Sequence, residues 1–147
     1  MSKAETNSKN ENNTRRNVVV FMCDACGQGA AKTAGVARMT YDSAIRIIRV
    51  KCSGMVGPIQ IMEALTNGAD ACSVIGCCFG ACHFRNGNFL SMHRIKIMKK
   101  LFKEMGYSDQ MINHYTARAA EGETATGDFE DIMERLEAAK AAGGTFQ

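Results

Sequence analysis

Residues 18–26 read Val18-Val19-Val20-Phe21-Met22-Cys23-Asp24-Ala25-Cys26. Five apolar residues run without a polar break and stop at a cysteine. A half-exposed strand alternates apolar with polar, whereas an unbroken run of this length suits a strand covered on both faces. Gly27, Gly29 and Gly35 follow within alanine-rich sequence up to about Tyr41, read as a loop that carries Cys26 and then a helix. The same grammar recurs twice. Ile45 to Val50 (IRIIRV) is a second strand and leads to Lys51-Cys52-Ser53-Gly54. Ala71 to Gly76 (ACSVIG) is a third and leads to Cys77.

Helices are predicted between the strands. Gly57-Pro58 opens one, because proline suits a first helical turn. Ile59, Met62 and Leu65 supply its expected buried stripe, and Asn67-Gly68 closes it. A loop from Cys77 to about Gly87 precedes the clearest helix, near Asn88 to Met105, with Met92, Ile95, Met98, Phe102 and Met105 at helical spacing. Ile112 to Thr116 reads as a fourth, short strand. Asp128 is expected to cap a last helix that buries Phe129, Ile132, Met133 and Leu136. Strand–helix alternation predicts the α/β class, with a small parallel four-stranded sheet sandwiched by helices in Rossmann- or flavodoxin-like layers.

At 147 residues the chain has the size of one domain and needs no covalent staple to fold. Residues 1–16 hold almost no apolar side chain and are expected to be a flexible tail. Residues 17–142 form the expected domain, and 143–147 a second flexible end. No apolar run approaches a membrane span or a secretory signal, so the expected compartment is the reducing cytoplasm. A net charge of +3 is too small to argue for nucleic acid. Seven cysteines in such a compartment suggest metal binding or thiol chemistry instead of disulfides.

Their positions carry the argument. Cys23, Cys52 and Cys77 each stand at the carboxyl end of a predicted strand, and a parallel sheet gathers those ends on one edge. Cys26 and Cys82 join from the loops that follow. The C-x2-C of 23–26 and the C-x4-C of 77–82 are spacings that iron–sulfur frameworks use. Thiolate sets of this kind suit a soft metal centre, either an iron–sulfur cluster or a structural zinc. Cys23-Asp24-Ala25-Cys26 after a strand also matches a thiol–disulfide motif, although that leaves Cys52, Cys77 and Cys82 without a role. Cys72 falls at the far end of its strand and is expected in the core. Cys78 reads as a spare thiol. His83 is expected beside the site, not as a ligand. Arg94, Lys96, Lys99, Lys100 and Lys103 give the long helix a basic face, either solvated or steering toward an acidic partner. Arg38 and Arg49 are placed on segments that feed the cysteine edge. No P-loop, dinucleotide fingerprint or nucleophile–base pair is present.

Taken together, Phe21-Met22-Cys23-Asp24-Ala25-Cys26-Gly27, the Thr33 to Met39 segment (TAGVARM), Arg46 to Gly54 (RIIRVKCSG), Gly76 to Phe84 (GCCFGACHF) and Ala119 to Gly122 (AAEG) resemble one family. It is the delta subunit of the methyl-viologen-reducing (F420-non-reducing) hydrogenase. The resemblance covers the chain from about residue 17 to the last helix. It implies an oxidoreductase subunit of archaeal methanogenesis with no substrate site of its own. It implies one [2Fe-2S] cluster at the family's cysteine positions, here Cys23, Cys26, Cys52, Cys77 and Cys82. The implied partners are a hydrogenase or formate dehydrogenase on one side and the FAD subunit of heterodisulfide reductase on the other, in flavin-based electron bifurcation. Where the family usually has His-Pro-Gly-Asp, this chain has Cys78-Phe79-Gly80-Ala81. A zinc-stabilised docking module without a redox role is the competing reading of the same thiols.

Overall fold

The computed structural model describes residues 16–144. The two expected tails lie outside the described residues except for Arg16, Gly143 and Gly144. Four strands, β1 (Val18–Cys23), β2 (Ile45–Val50), β3 (Ala71–Cys77) and β4 (Ile112–Ala117), form one sheet in the order β2-β1-β3-β4. Every pairing is parallel. Helices α1 (Cys26–Val36), α2 (Pro58–Thr66), α3 (Gly87–Glu104) and α4 (Gly122–Ala141) fill the connections, which gives the α/β layering read from the sequence. No helix among the described residues is long and apolar enough to cross a membrane.

Alternation along β1 sends its side chains to two cores. Val18, Val20 and Met22 pack with Ile75, Ala30, Phe129 and Leu136 under α1 and α4. Phe21 packs with Val74, Ile61, Ile95 and Phe102 under α2 and α3. An apolar strand interior is therefore needed on both faces, which is why the run at 18–22 is unbroken. Cys72 lies wholly inside the second core, and burial pushes its thiol up to about 12.

Register levels the strand ends. Cys23 stands opposite Val50, and Cys77 opposite Ala117. At the amino edge, Asp70 precedes β3, accepts the Asn17 backbone N–H at 2.7 Å and pairs with Lys140 Nζ at 3.5 Å. Arg16 reaches Asp42 at 3.2 Å and Glu137 at 3.0 Å.

Four sequence expectations need correction. Cys26 is the first residue of α1 and not part of a loop, because Asp24 and Ala25 alone make the turn. Gly27 permits this tight start: a Cβ there would sit 3.2 Å from the Met22 Cβ. Ile59 is 76% exposed, not buried. Each three-residue step falls about 60° short of a full helical turn, so the stripe centres on Ile61 and Leu65 instead. Arg38 lies past the carboxyl end of α1, a helix of 11 residues that leads away from the cysteine edge. Arg49 pairs internally with Asp24 at 3.3 Å.

The fourth correction is Asp128, which lies inside α4 and does not cap it. The helix starts at Gly122, where a Cβ would come within 2.7 Å of the Ala34 backbone N. Close packing on α1 thus selects a glycine at the first position, which propensity alone disfavours. Burial and the nearby Asp131 charge raise the Asp128 carboxyl from 3.8 to about 7. The folded chain therefore binds a proton that the unfolded chain releases. Stability from this group is full below about pH 4 and is lost as pH rises through about 7. Asp128→Asn is expected to add about 1 kcal/mol at pH 8, discounted for a half-exposed side chain, and almost nothing at acidic pH. Urea unfolding at both pH values checks this, and an equal gain at both would refute it.

Candidate metal centre

β1 and β3 are neighbours, so their carboxyl ends bring Cys23 and Cys77 into contact with Sγ atoms 3.7 Å apart. Two thiolates on one tetrahedral metal with bonds of about 2.3 Å would stand about 3.8 Å apart. Cys26, one turn after Cys23, completes a buried cluster with these two, and Ala25 and Cys82 pack against it. Cys52 follows β2 and begins the short 3-10 turn Ser53–Met55, accepting the Gly54 N–H on its sulfur at 3.4 Å. Cys82 arrives from the loop before α3 and interacts with the Cys52 thiol. All five cysteines singled out in the sequence thus meet at one edge. Cys78 is half-buried and outside the buried cluster. The His83 side chain is exposed, and its backbone N–H, not its ring, bonds the Cys77 sulfur.

The sequence reading missed three residues that shape this edge. Gly87 opens α3 between the Cys52 and Cys82 sulfurs. A Cβ there would collide with Cys52 Sγ and lie 3.4 Å from Cys82 Sγ. Asn88 is fully buried. Its Nδ2 donates to the carbonyls of Cys77 at 3.1 Å and Cys78 at 2.9 Å, and its Oδ1 accepts the Phe89 N–H at 2.9 Å. Arg94, read as part of a basic face, donates from Nη1 to the Gly54 carbonyl at 2.6 Å and so ties the Cys52 turn to α3. The signal for Asn88 is its place in line with Ser91, Ile95, Met98 and Phe102, the stripe that α3 buries. Lys99 also leaves the basic face: its Nζ donates to Asn113 Oδ1 at 2.7 Å.

Electrostatics divide the thiols. Burial raises Cys23, and the Gly27 N–H on its sulfur at 3.2 Å offsets part of that. Burial likewise raises Cys52 and Cys77, each further opposed by a neighbouring cysteine. At Cys82 burial also raises the thiol, but the backbone N–H groups of Phe84, Asn88 and Gly87 and the Cys52 thiol outweigh it. Cys82 is accordingly held below its usual value. Two of those donors belong to the first turn of α3, where unpaired N–H groups and the helix dipole favour negative charge. Asp24, between the two cysteines of the C-x2-C pair, is kept ionised chiefly by the Lys51 ammonium at 3.2 Å and by Arg49.

This donor set suits a thiolate-held group. Among the described residues, no three His, Cys, Asp or Glu side chains close on a single metal ion. The sulfurs meet instead in two groups, Cys23 and Cys26 with Cys77, and Cys52 with Cys82. An iron–sulfur cluster takes four cysteine thiolates. The space that Gly87 keeps open by lacking a Cβ adjoins the second group.

The chain is similar to known proteins. A family model described as the methyl-viologen-reducing hydrogenase delta subunit matches residues 18–139. The vhc iron-sulfur subunit of the F420-non-reducing hydrogenase of Methanococcus voltae is 38% identical over 121 residues, 82% of this chain and 84% of that one. The iron-sulfur subunit of the F420-non-reducing hydrogenase of Archaeoglobus profundus is 36% identical over 131 residues, 89% of this chain and 93% of its own length. A subunit of the ferredoxin/F420H2-dependent CoB-CoM heterodisulfide reductase of Methanosarcina acetivorans is 35% identical over 130 residues, and the chain spans 16% of that longer relative. With the family model covering both cores and every cysteine at the sheet edge, this chain belongs to the methyl-viologen-reducing hydrogenase delta subunit family.

Proposed function

We propose that the chain is an electron-transfer subunit holding one [2Fe-2S] cluster with four of Cys23, Cys26, Cys52, Cys77 and Cys82. It would work in the cytoplasm between a hydrogenase or formate dehydrogenase and the FAD subunit of heterodisulfide reductase, in flavin-based bifurcation. The observation that carries the reading is the convergence of five thiols at the carboxyl edge of β1, β2 and β3, two of them beside Gly87. The relatives support it, being named iron-sulfur subunits of hydrogenases and subunits of heterodisulfide reductases.

When bound, such a cluster supplies reversible one-electron chemistry. The chain's own residues set its surroundings. Gly27 and Gly54 direct backbone N–H groups at sulfur, which stabilises negative charge and favours the reduced state. Asn88 and Arg94 hold the Cys77 and Cys52 segments against α3. Thiols that burial keeps protonated must release protons on loading, so uptake should weaken in acid.

Iron, zinc and acid-labile sulfide per chain, with an EPR spectrum after dithionite, test the proposal on anaerobically purified protein. About two irons, two sulfides and a reduced signal are expected. Serine replacement of the five cysteines one at a time should abolish loading at four positions and spare it at one, and Cys78→Ser should retain iron. One zinc without sulfide would overturn the proposal in favour of a docking module.

A further inference from the structure

Four exposed apolar side chains gather beside the Cys52 thiol. Met55, Phe84, Phe89 and Leu90 line, with Cys52 and Gly87, a cleft of about 710 Å³. Met55 and Phe84 are 62% and 61% exposed. The Phe79 ring leans on Phe89 with centroids 4.7 Å apart and carries the patch toward the Cys77–Cys82 loop. Leu90, Ile97 and Leu101, all exposed, extend it along one face of α3, since steps of seven and four residues keep one helical face. The adjoining face of α3 already buries Ile95, Met98 and Phe102 in the chain's own core. An apolar patch of this extent on a small protein marks a contact surface.

Charge narrows the choice of occupant. Lys96, Lys100 and Lys103 are exposed on α3, and its one carboxylate is Glu104 at the last position. The complementary surface is an apolar side chain or ridge ringed by aspartate and glutamate. A second copy of this chain would bring a basic rim against a basic rim. In the heterodisulfide reductase relatives the matching segment is part of the reductase polypeptide itself, which links such a domain to that enzyme.

We infer that the Met55–Phe84–Leu90 cleft and the basic flank of α3 form the docking face for an acidic, apolar-centred surface of the FAD subunit of heterodisulfide reductase. The partner's identity rests on the relay reading above, and the face itself rests on geometry and charge. Such a contact would shield the thiol edge from water while bringing it against the acceptor.

Anaerobic titration calorimetry of the full chain with the purified FAD subunit from the same organism tests this. Leu90→Glu should weaken binding by about tenfold or more, as expected for a central apolar anchor. The pair Lys96→Glu and Lys100→Glu should weaken it at low salt, with the deficit shrinking as salt screens the charges. Val36→Glu, which alters an exposed apolar side chain at the end of α1, should bind like the unaltered chain. Iron content should be unchanged in all variants. Undiminished binding of Leu90→Glu with full iron would overturn the docking face and leave the relay standing. A zinc-loaded chain with the same binding losses would do the reverse. A dimer of the chain that Leu90→Glu dissolves would overturn the inference in favour of self-association.

Discussion

Replacing Gly87 by alanine is expected to abolish iron–sulfur loading while leaving the fold in place. Alanine is the better helix former, so at the first position of α3 the backbone itself has no objection. The cost is local. The added methyl would collide with the Cys52 sulfur, lie 3.4 Å from the Cys82 sulfur and 3.5 Å from the Gly54 N. One atom thus obstructs two candidate ligands and the N–H that serves one of them. Relief would have to come from the Cys52 turn, but Arg94 holds that turn through the Gly54 and Val56 carbonyls. Iron and sulfide after anaerobic reconstitution should fall below about a tenth of normal, a change of the size seen when metal-site geometry is lost. Far-UV circular dichroism should be retained. Gly35→Ala, where a Cβ meets nothing within 4 Å, is the control and should load fully. Full loading of Gly87→Ala would show that the thiols do not act around this cradle.

Asn88→Leu is expected to be the most destabilising single change at this edge, by about 3 kcal/mol. Leucine keeps the same branched heavy-atom skeleton with bulkier methyl ends, so no cavity opens. What is lost is hydrogen bonding in a position with no access to water. The Cys77 carbonyl loses the Asn88 donor, the Cys78 carbonyl is left with the Ala81 N–H, and the Phe89 N–H loses its acceptor. Each buried polar group left without a partner costs about 1–3 kcal/mol. At this chain length the melting temperature should fall by about 10 °C. Thermal and urea unfolding of the metal-free chain read this directly, and a loss below about 1 kcal/mol would mean that water replaces Asn88. Because the same residue holds the end of β3, iron uptake should slow even where the variant remains folded.

The sheet and the cysteine edge were readable from residues because both rest on short-range patterns. An unbroken apolar run such as 18–22 has few structural outcomes, and parallel strands must end on a common side. Helix beginnings were harder. Cys26 starts α1 and Gly122 starts α4 through close approach to Met22 and Ala34, contacts between segments that no local pattern encodes. Ile59 went wrong because an apolar residue in a first helical turn can face either way until the core chooses. Asn88 and Arg94 look like a polar cap and a surface charge in one dimension. Their roles come from the carbonyls they meet, on β3 and beyond β2, and those partners exist only in the folded chain.

The shared contact at Asp70 has a consequence for how this domain can be joined to others. Asn17 and Lys140 converge on that one carboxylate, so both ends of the folded unit leave from the amino edge of the sheet. The cysteines occupy the opposite edge. A polypeptide attached at either end therefore starts its path away from the thiols, with the reactive face left open. The unit is in this sense portable: it can be grafted onto a larger chain or stand as a separate subunit without redesign of its working edge. Relatives of both kinds exist, separate iron-sulfur subunits of hydrogenases and a segment within a longer heterodisulfide reductase polypeptide.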